Sequence, residues 1–278
     1  MSIPNSSNAA FVAELRYIQT IRERRELRNP DILVKHLLSI RDRWRMRLMR
    51  RDRLNAIRED PFYYYLLART RHYDAVYREA LAAGVSLVAN VGCGADTRPY
   101  RFGDIVKASG IKVLECDQAE AIERKRALAA RWRHLVEVTH LPIDLNDGAW
   151  PVLTRWLQEG GPALVVMEGV SPYIDEANFI AFLRMIATCV VPGTRVAYDY
   201  KVQGVKVDFG RQGRTRIPFR LSPTRSEVEA FHKRLGFAVL AHETSSDLCQ
   251  RLVPNRLTSN AFEEDALVQL EVQTGHSP

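Results

Sequence analysis

Cysteine is scarce in this chain of 278 residues: four, at positions 93, 116, 189 and 249, with no Cys-x-x-Cys pair and no His-Glu-x-x-His elsewhere. Scattered thiols exclude a disulfide framework and offer no metal-ligand spacing, so buried thiols and no metal are expected. Long apolar runs are missing too. Nothing approaches the ~18 residues of a membrane span, and the start MSIPNSSNAAFVAELRY lacks the basic region and apolar block of a secretory signal. A cytoplasmic protein with no membrane partner is the expectation. Internal repeats and low-complexity tracts are also lacking.

What is present is 46% hydrophobic content, enough for one large core, and a net charge of +7. Much of the excess sits in RDRWRMRLMRRDRLNAIRED, where Arg41, Arg43, Arg45, Arg47, Arg50, Arg51 and Arg53 crowd together. Its apolar members Ile40, Trp44, Leu48, Met49, Leu54 and Ile57 fall near helical spacing. The plain reading is an amphipathic helix with a solvated basic face; the sharper one is an anionic partner.

The texture changes along the chain. Residues up to 84 read as helices: AAFVAELRYIQTIRERREL, then PDILVKHLLSIRDRW from Pro30, then PFYYYLLARTRHYDAVYREALAAG from Pro61 to Gly84. From 85 to 278, β-branched runs such as VSLVANVG, IKVLECD, HLVEVTHLPID, ALVVMEGVS and TRVAYDY alternate with helical segments. That alternation predicts an α/β domain with a doubly wound, mostly parallel sheet, preceded by a helical cap over 1–84 that belongs to the same domain. An interval from about 201 to 221 breaks the rhythm with three glycines and Arg211, Arg214, Arg216 and Arg220. It is too long for an ordinary connection and reads as a lid.

The densest chemistry lies in VANVGCGADTRPYRF, residues 88 to 102. Gly92 and Gly94 leave the first strand, where a backbone without side chains lets a cofactor approach. The next strand ends in Asp117, about twenty residues on, where a ribose hydroxyl would be held. The third glycine of a dinucleotide fingerprint is absent. That argues against a pyrophosphate cofactor and for an adenosine one, S-adenosylmethionine. Asp144 in PIDL and Glu168 in MEGVSPYI fall at the third and fourth strand tips, with Tyr173 beside the latter.

These segments, with the upstream DPFYYYLLARTRHYD, resemble the leucine carboxyl methyltransferase family over roughly residues 10 to 250. That family includes protein phosphatase carboxyl methyltransferases and many bacterial natural-product O-methyltransferases. The resemblance implies a class I methyltransferase fold, Rossmann-like. It puts Gly92 and Gly94 beside S-adenosylmethionine, Asp117 on its ribose, Asp144 with Leu145 at its adenine, and Glu168 near its amino acid moiety. An arginine of the helical segment would hold the cofactor carboxylate: Arg71 first, Arg69 second, because a guanidinium fork suits a carboxylate. Asp96, Thr97, Arg98 and Arg101 are as readily loop supports as ligands.

Methyl transfer is an in-line displacement, in which positioning can supply most of the acceleration. A carboxylate nucleophile needs no base, whereas a phenol or alcohol does. Candidates are Tyr173, Tyr198 and Tyr200 as pocket lining, with His72 and His242 nearer the mouth, and of these Tyr173, Tyr200 and His72 are the catalytic candidates; His36, His134, His140, His232 and His276 read as surface or packing residues. The expectation is O-methylation of a small molecule, with a carboxylate favoured. A peptide or protein carboxyl terminus is one alternative, and an RNA-binding protein that uses the arginine helix is another, weakened by the lack of interleaved aromatics.

Overall fold

In a computed structural model, the structure describes residues 8–205, 219–254 and 261–273. Four helices come first: α1 (Asn8–Arg22), α2 (Ile40–Arg47), α3 (Arg51–Glu59) and α4 (Pro61–Ala82). Strands and helices then alternate as β1 (Leu87–Val91), α5 (Arg98–Arg101), α6 (Gly103–Ala108), β2 (Lys112–Asp117), α7 (Ala119–Ala129) and β3 (Thr139–Pro142). Next come α8 (Pro151–Gln158), β4 (Ala163–Met167), α9 (Glu176–Cys189), β5 (Arg195–Val202) and β6 (Arg220–Leu221). The described chain closes with α10 (Arg225–Lys233), β7 (Phe237–Thr244), α11 (Ser245–Leu252) and β8 (Asp265–Val272).

The sheet runs β3-β2-β1-β4-β5-β8-β7, with β6 attached to β5. Strands β1 to β6 pair in parallel, and β8 runs antiparallel between β5 and β7. This is the doubly wound, mostly parallel fold that the alternation predicts. The strand order reverses between β1 and β4, which opens a crevice at their carboxyl ends.

Side-chain alternation explains the two layers. In β1, Leu87, Ala89 and Val91 face α8, α9 and α10 through a core that includes Leu153, Phe179, Phe182 and Val228. Val88 faces the opposite way, into a core shared with α1, α4 and α6. Helix α4 is buried on nearly all sides, including Tyr63, Tyr65, Tyr73 and Tyr77, because the other amino-terminal helices cover what the sheet does not. Asp60 caps it by accepting the Phe62 N–H, Pro61 opens its first turn, and Gly84 leaves it at φ +75°.

Two expectations for the cap are corrected. The helix predicted from Pro30 is a 3₁₀ turn over Val34–Leu37, and helix resumes only at Ile40. Asp31 is the reason: it accepts the Val34 N–H and is also claimed by Arg16 and Thr97, which fixes a local turn. Ser39 then starts α2, accepting the Asp42 N–H at 3.0 Å. The arginine-rich segment is likewise not one helix. Arg22 draws the carbonyls of Met46, Arg47 and Met49 onto its guanidinium, ending α2 before α3 begins. Met46, absent from the predicted stripe, is the buried residue of α2, while Ile40, Trp44 and Leu48 are exposed.

The interval read as a lid is partly regular at its ends. Lys201 and Val202 finish β5, and Arg220 and Leu221 form β6 beside them. Arg211, Arg214 and Arg216 lie outside the described residues.

Candidate active site

The turn after β1 is pressed against the exit of β4. Gly92 has φ +70°, and a Cβ there would stand 2.3 Å from Val170 Cγ2, so no side chain fits on either ground. The N–H groups of Gly92 and Cys93 both donate to the Cys116 carbonyl, at 2.8 and 2.9 Å, which ties the turn to β2. Gly94, at φ +35°, donates its N–H to the Asp117 carboxylate at 2.8 Å. The other Asp117 oxygen accepts the Gln118 N–H, also at 2.8 Å.

Asp144 stands one strand further out. Its carboxylate accepts the Asn146 N–H at 2.8 Å and the Gln118 side-chain amide at 3.1 Å, so Gln118 links the tips of β2 and β3. Leu145 is buried next to it, and the Trp150 indole donates to the Asp144 carbonyl. Gly92, Gly94, Asp117, Asp144 and Leu145 thus share one end of the sheet.

A layer of buried charge supports this loop. Lys125 donates to the carbonyls of Gly94 (3.2 Å) and Asp96 and pairs with Glu115 at 3.1 Å. Arg16 reaches from α1 to Asp31 (2.9 Å) and to the Ala95 carbonyl (2.7 Å). Arg98 contacts Asp74, Asp96 and Glu168 at 2.9, 3.2 and 2.7 Å, while Arg101 grips Asp74 with two 2.7 Å bonds. Burial alone would raise the Asp96 carboxyl, but Arg98 and Lys125 hold it below its ordinary range. Each charge is compensated by fixed neighbours, the condition for keeping ions out of water.

Glu168 joins this layer to the crevice. Its two oxygens face Arg69 Nε at 3.2 Å and an Arg98 amino group at 2.7 Å, and those guanidiniums outweigh burial and keep the carboxyl low. Arg69 also meets Asp199 at 3.3 Å. Burial would lower its pKa, but Asp199 and Glu168 carry it well above the ordinary value. Burial in turn raises Asp199, which accepts the Tyr73 hydroxyl at 3.1 Å and the Gly169 N–H at 2.6 Å.

Arg71 lies elsewhere. Its guanidinium donates to the carbonyls of Leu252, at the end of α11, and of Glu26, near the first helical turn. Two residues along a helix amount to a rotation of about 200°, so Arg69 and Arg71 face opposite sides of α4. Arg69 is the one beside Glu168.

The candidates for the reacting mouth separate as well. Tyr173, 38% exposed, follows β4 at the mouth. Tyr200 is buried, donating to the Ser222 carbonyl and paired with His242 Nε2 at 2.9 Å, and burial raises its pKa. His72 is buried under α11, 3.5 Å from Glu243. Arg220 donates to the Val205 carbonyl at 2.5 Å. Asp199, Asp74, Arg16 and Lys125 are absent from the sequence-based list. An acid inside the apolar strand AYDY was a legible signal for Asp199; nothing local marks Arg16 or Lys125, whose carbonyl partners in the glycine loop, Ala95 and Gly94, lie 79 and 31 residues away.

Known proteins share this chain's pattern. A protein of Mycolicibacterium paratuberculosis (strain ATCC BAA-968 / K-10) named "Putative S-adenosyl-L-methionine-dependent methyltransferase" is 26% identical over 73% of this chain and 69% of its own length. One of the same description from Rhodococcus jostii (strain RHA1) is 27% identical over 70% of this chain and 66% of its own length. About a third of each relative therefore lies outside the match. Among solved structures, magnesium protoporphyrin IX methyltransferase from Synechocystis PCC 6803 with bound SAM aligns at a TM-score of 0.47 and 13% identity, over 98% of this chain and all of that one. The model of one family, leucine carboxyl methyltransferase, matches residues 9–187, and with more than half of its length so matched the chain belongs to that family.

Proposed function

We infer that this chain transfers a methyl group from S-adenosylmethionine to an oxygen of a small acidic acceptor. The reading rests on one observation above others: the left-handed glycine turn of β1 and the carboxylates of Asp117, Asp144 and Glu168 follow the carboxyl ends of the adjacent strands β1, β2, β3 and β4, to either side of the switch.

The donor set suits that cofactor. Ribose hydroxyls and an adenine amino group are hydrogen-bond donors, and the tips of β2 and β3 carry carboxylates, which only accept. An amino acid moiety is zwitterionic, and beside β4 the guanidinium of Arg69 alternates with the carboxylate of Glu168. When bound, S-adenosylmethionine supplies an electrophilic methyl on a sulfonium. The chain's own share is to fix the loop, orient the reactants and exclude water.

The histidines argue for the acceptor's class. Among the six described histidines, His72 is buried with Glu243, His140 is held by Glu115 and Tyr100, His232 lies between Tyr198 and Val228, His242 is bound to Tyr200, His36 packs on Trp132, and His134 is exposed between α7 and β3. Burial lowers the pKa of both His232 and His242. An acceptor that needs no base is a carboxylate, ionised above a reference pKa near ~4.

The test uses S-adenosylmethionine with a labelled methyl group, the full chain, and a panel of carboxylic acids alongside their amides and matching phenols. Label should enter the acids as methyl esters that mild base releases as methanol. Base-stable label, or turnover confined to phenols, rejects the carboxylate. Turnover of peptides ending in a free carboxylate, and not of small acids, moves the acceptor to a protein terminus.

A further inference from the structure

Helix α2, counted with its C-cap Leu48, turns three of its four apolar residues outward. Ile40, Trp44 and Leu48 are 67, 58 and 73% exposed, whereas Met46 is 1% exposed. At 100° per residue the three span about 80° of the helix surface, with Met46 roughly opposite. Singly exposed apolar residues need no explanation, but neighbouring ones at i, i+4 and i+8 do. Among the described residues, Ile32 joins these three, so four of the nine large exposed apolar side chains fall within one short segment.

Arginine borders the ridge. Arg41 and Arg47, both exposed, stand about 60° to either side of its centre. Arg47 also lines an open hollow with Arg22, Arg28, Thr20 and Ile21. Arg22 is occupied by the carbonyls that end α2, whereas Arg47, among the described residues, donates only its Nε, to Tyr17, and is otherwise exposed. The helix is firmly seated beneath: Arg45 pairs with Glu14 of α1 at 2.6 Å.

We propose that this ridge of α2 docks on an anionic lipid surface, with Ile40, Trp44 and Leu48 entering below the headgroups and Arg41 and Arg47 at the level of the phosphates. Side chains this exposed form a ridge rather than the walls of a groove, so a bound peptide has no cleft to occupy. A second copy paired through the same ridge would bring like arginines together. Nucleic acid would leave Ile40 and Leu48 without a role, since its unpaired bases are held by stacking on aromatic faces, of which the ridge has one. A basic, tryptophan-bearing apolar strip suits the interface, where aliphatic chains meet acyl tails and guanidiniums reach headgroup phosphate. The helix lies on the surface and does not cross it; no helix of the described residues is long and apolar enough to cross.

Vesicle flotation of the full chain tests this without an activity readout, and so independently of the methyl-transfer reading. The chain should float with vesicles of equal phosphatidylcholine and phosphatidylglycerol, not with phosphatidylcholine alone, and should be released by salt. Trp44→Ser and Leu48→Ser should each lower partitioning about ten-fold, and Arg41→Gln and Arg47→Gln about five-fold. Thermal midpoints should match the wild type for Trp44→Ser, whose site is exposed. The proposal is overturned by failure to float, or by flotation that Trp44→Ser leaves intact. A dimer that Trp44→Ser converts to monomer assigns the ridge to a second copy. Tight binding of polyuridylate that needs Arg41 but not Trp44 assigns it to nucleic acid.

Discussion

Arg69 and Glu168 lie ninety-nine residues apart in sequence and 3.2 Å apart in the fold, one from the central helix of the cap and the other from the tip of β4. The pair binds the cap to the sheet where the cofactor's amino acid moiety would sit. It also gives a helical segment without strand signals a direct part in the site.

The first prediction separates two arginines of one helix. Arg69→Lys keeps the charge but loses the fork that spans Glu168 and Asp199, so S-adenosylhomocysteine affinity measured by calorimetry should fall about ten-fold. Arg71→Gln removes bonds to the carbonyls of Leu252 and Glu26. It should cost roughly 1–2 kcal/mol of stability in urea unfolding and leave the affinity unchanged. The reverse pattern would return Arg71 to the site.

Asp117 carries the second prediction. It accepts the Gly94 N–H and stands where a ribose would donate. Asp117→Ala leaves that N–H without its partner and removes the ligand contact, so cofactor binding should weaken by about 1–3 kcal/mol. Binding within error of the wild type would take the ribose assignment away from this carboxylate.

Much of this site was legible in sequence, and the parts that were not share a cause. Gly92, Gly94, Asp117, Asp144 and Glu168 each sit at a strand end, and strand ends are readable because apolar runs stop there. Arg16, Asp31, Asp74 and Lys125 act through partners on other elements, so spacing along the chain does not mark them; Asp199 differs, as an acid inside an apolar strand. The choice between Arg69 and Arg71 turned on which side of α4 faces the sheet. That helix is buried almost all round, so its pattern carries little amphipathic contrast. The outward ridge of α2 was hidden for a related reason: helical spacing of apolar residues shows that they share a face, and only tertiary contacts decide which face is covered.

Gly92 allows a test of the turn by two substitutions. Gly92→Ala meets both a left-handed φ and Val170 Cγ2 at 2.3 Å, and should destabilise by at least about 2 kcal/mol. Adding Val170→Ala relieves the contact but not the φ, so about 1 kcal/mol should remain. Gly84→Ala, with φ +75° and nothing within 4 Å, is the control and should match that remainder. Full rescue by Val170→Ala would mean that space alone, not backbone conformation, selects glycine.

His232 makes the pH prediction. Its Nδ1–H donates to the Val228 carbonyl at 2.6 Å, so Nε2 is bare and accepts the Tyr198 hydroxyl at 2.6 Å. Burial lowers the pKa from 6.5 to about 4. Between those values the unfolded chain takes a proton that the folded chain refuses. Stability is therefore full above about 6.5 and falls as pH drops toward 4, by roughly 2–4 kcal/mol over the window. His232→Gln keeps an acceptor for Tyr198 but cannot titrate. Urea midpoints of the two proteins should converge as pH falls, and parallel curves would clear His232 of the effect.

The last prediction concerns the acceptor. Arg211, Arg214 and Arg216 fall within a glycine-punctuated segment between β5 and β6, and Arg220 lies on β6, paired in register with Lys201. Arg220 already donates to the Val205 carbonyl, so its contribution is to hold the return of the segment beside β5. The other three, outside the described residues, are the ones we propose for the anionic acceptor, since guanidiniums stay charged and can grip a carboxylate in a bidentate pair. Arg211→Gln, Arg214→Gln and Arg216→Gln should include at least one variant with kcat/KM for an acidic acceptor reduced about ten-fold or more and cofactor affinity unchanged. The loss should appear in KM if the grip is equal in ground and transition states, and in kcat if the arginine aligns the attacking oxygen. For a neutral acceptor the same variants should be silent, because no charge is left to hold. Three silent variants against an acidic acceptor would place the carboxylate's partner elsewhere, with Arg69 and the exposed Tyr173 next to be tested.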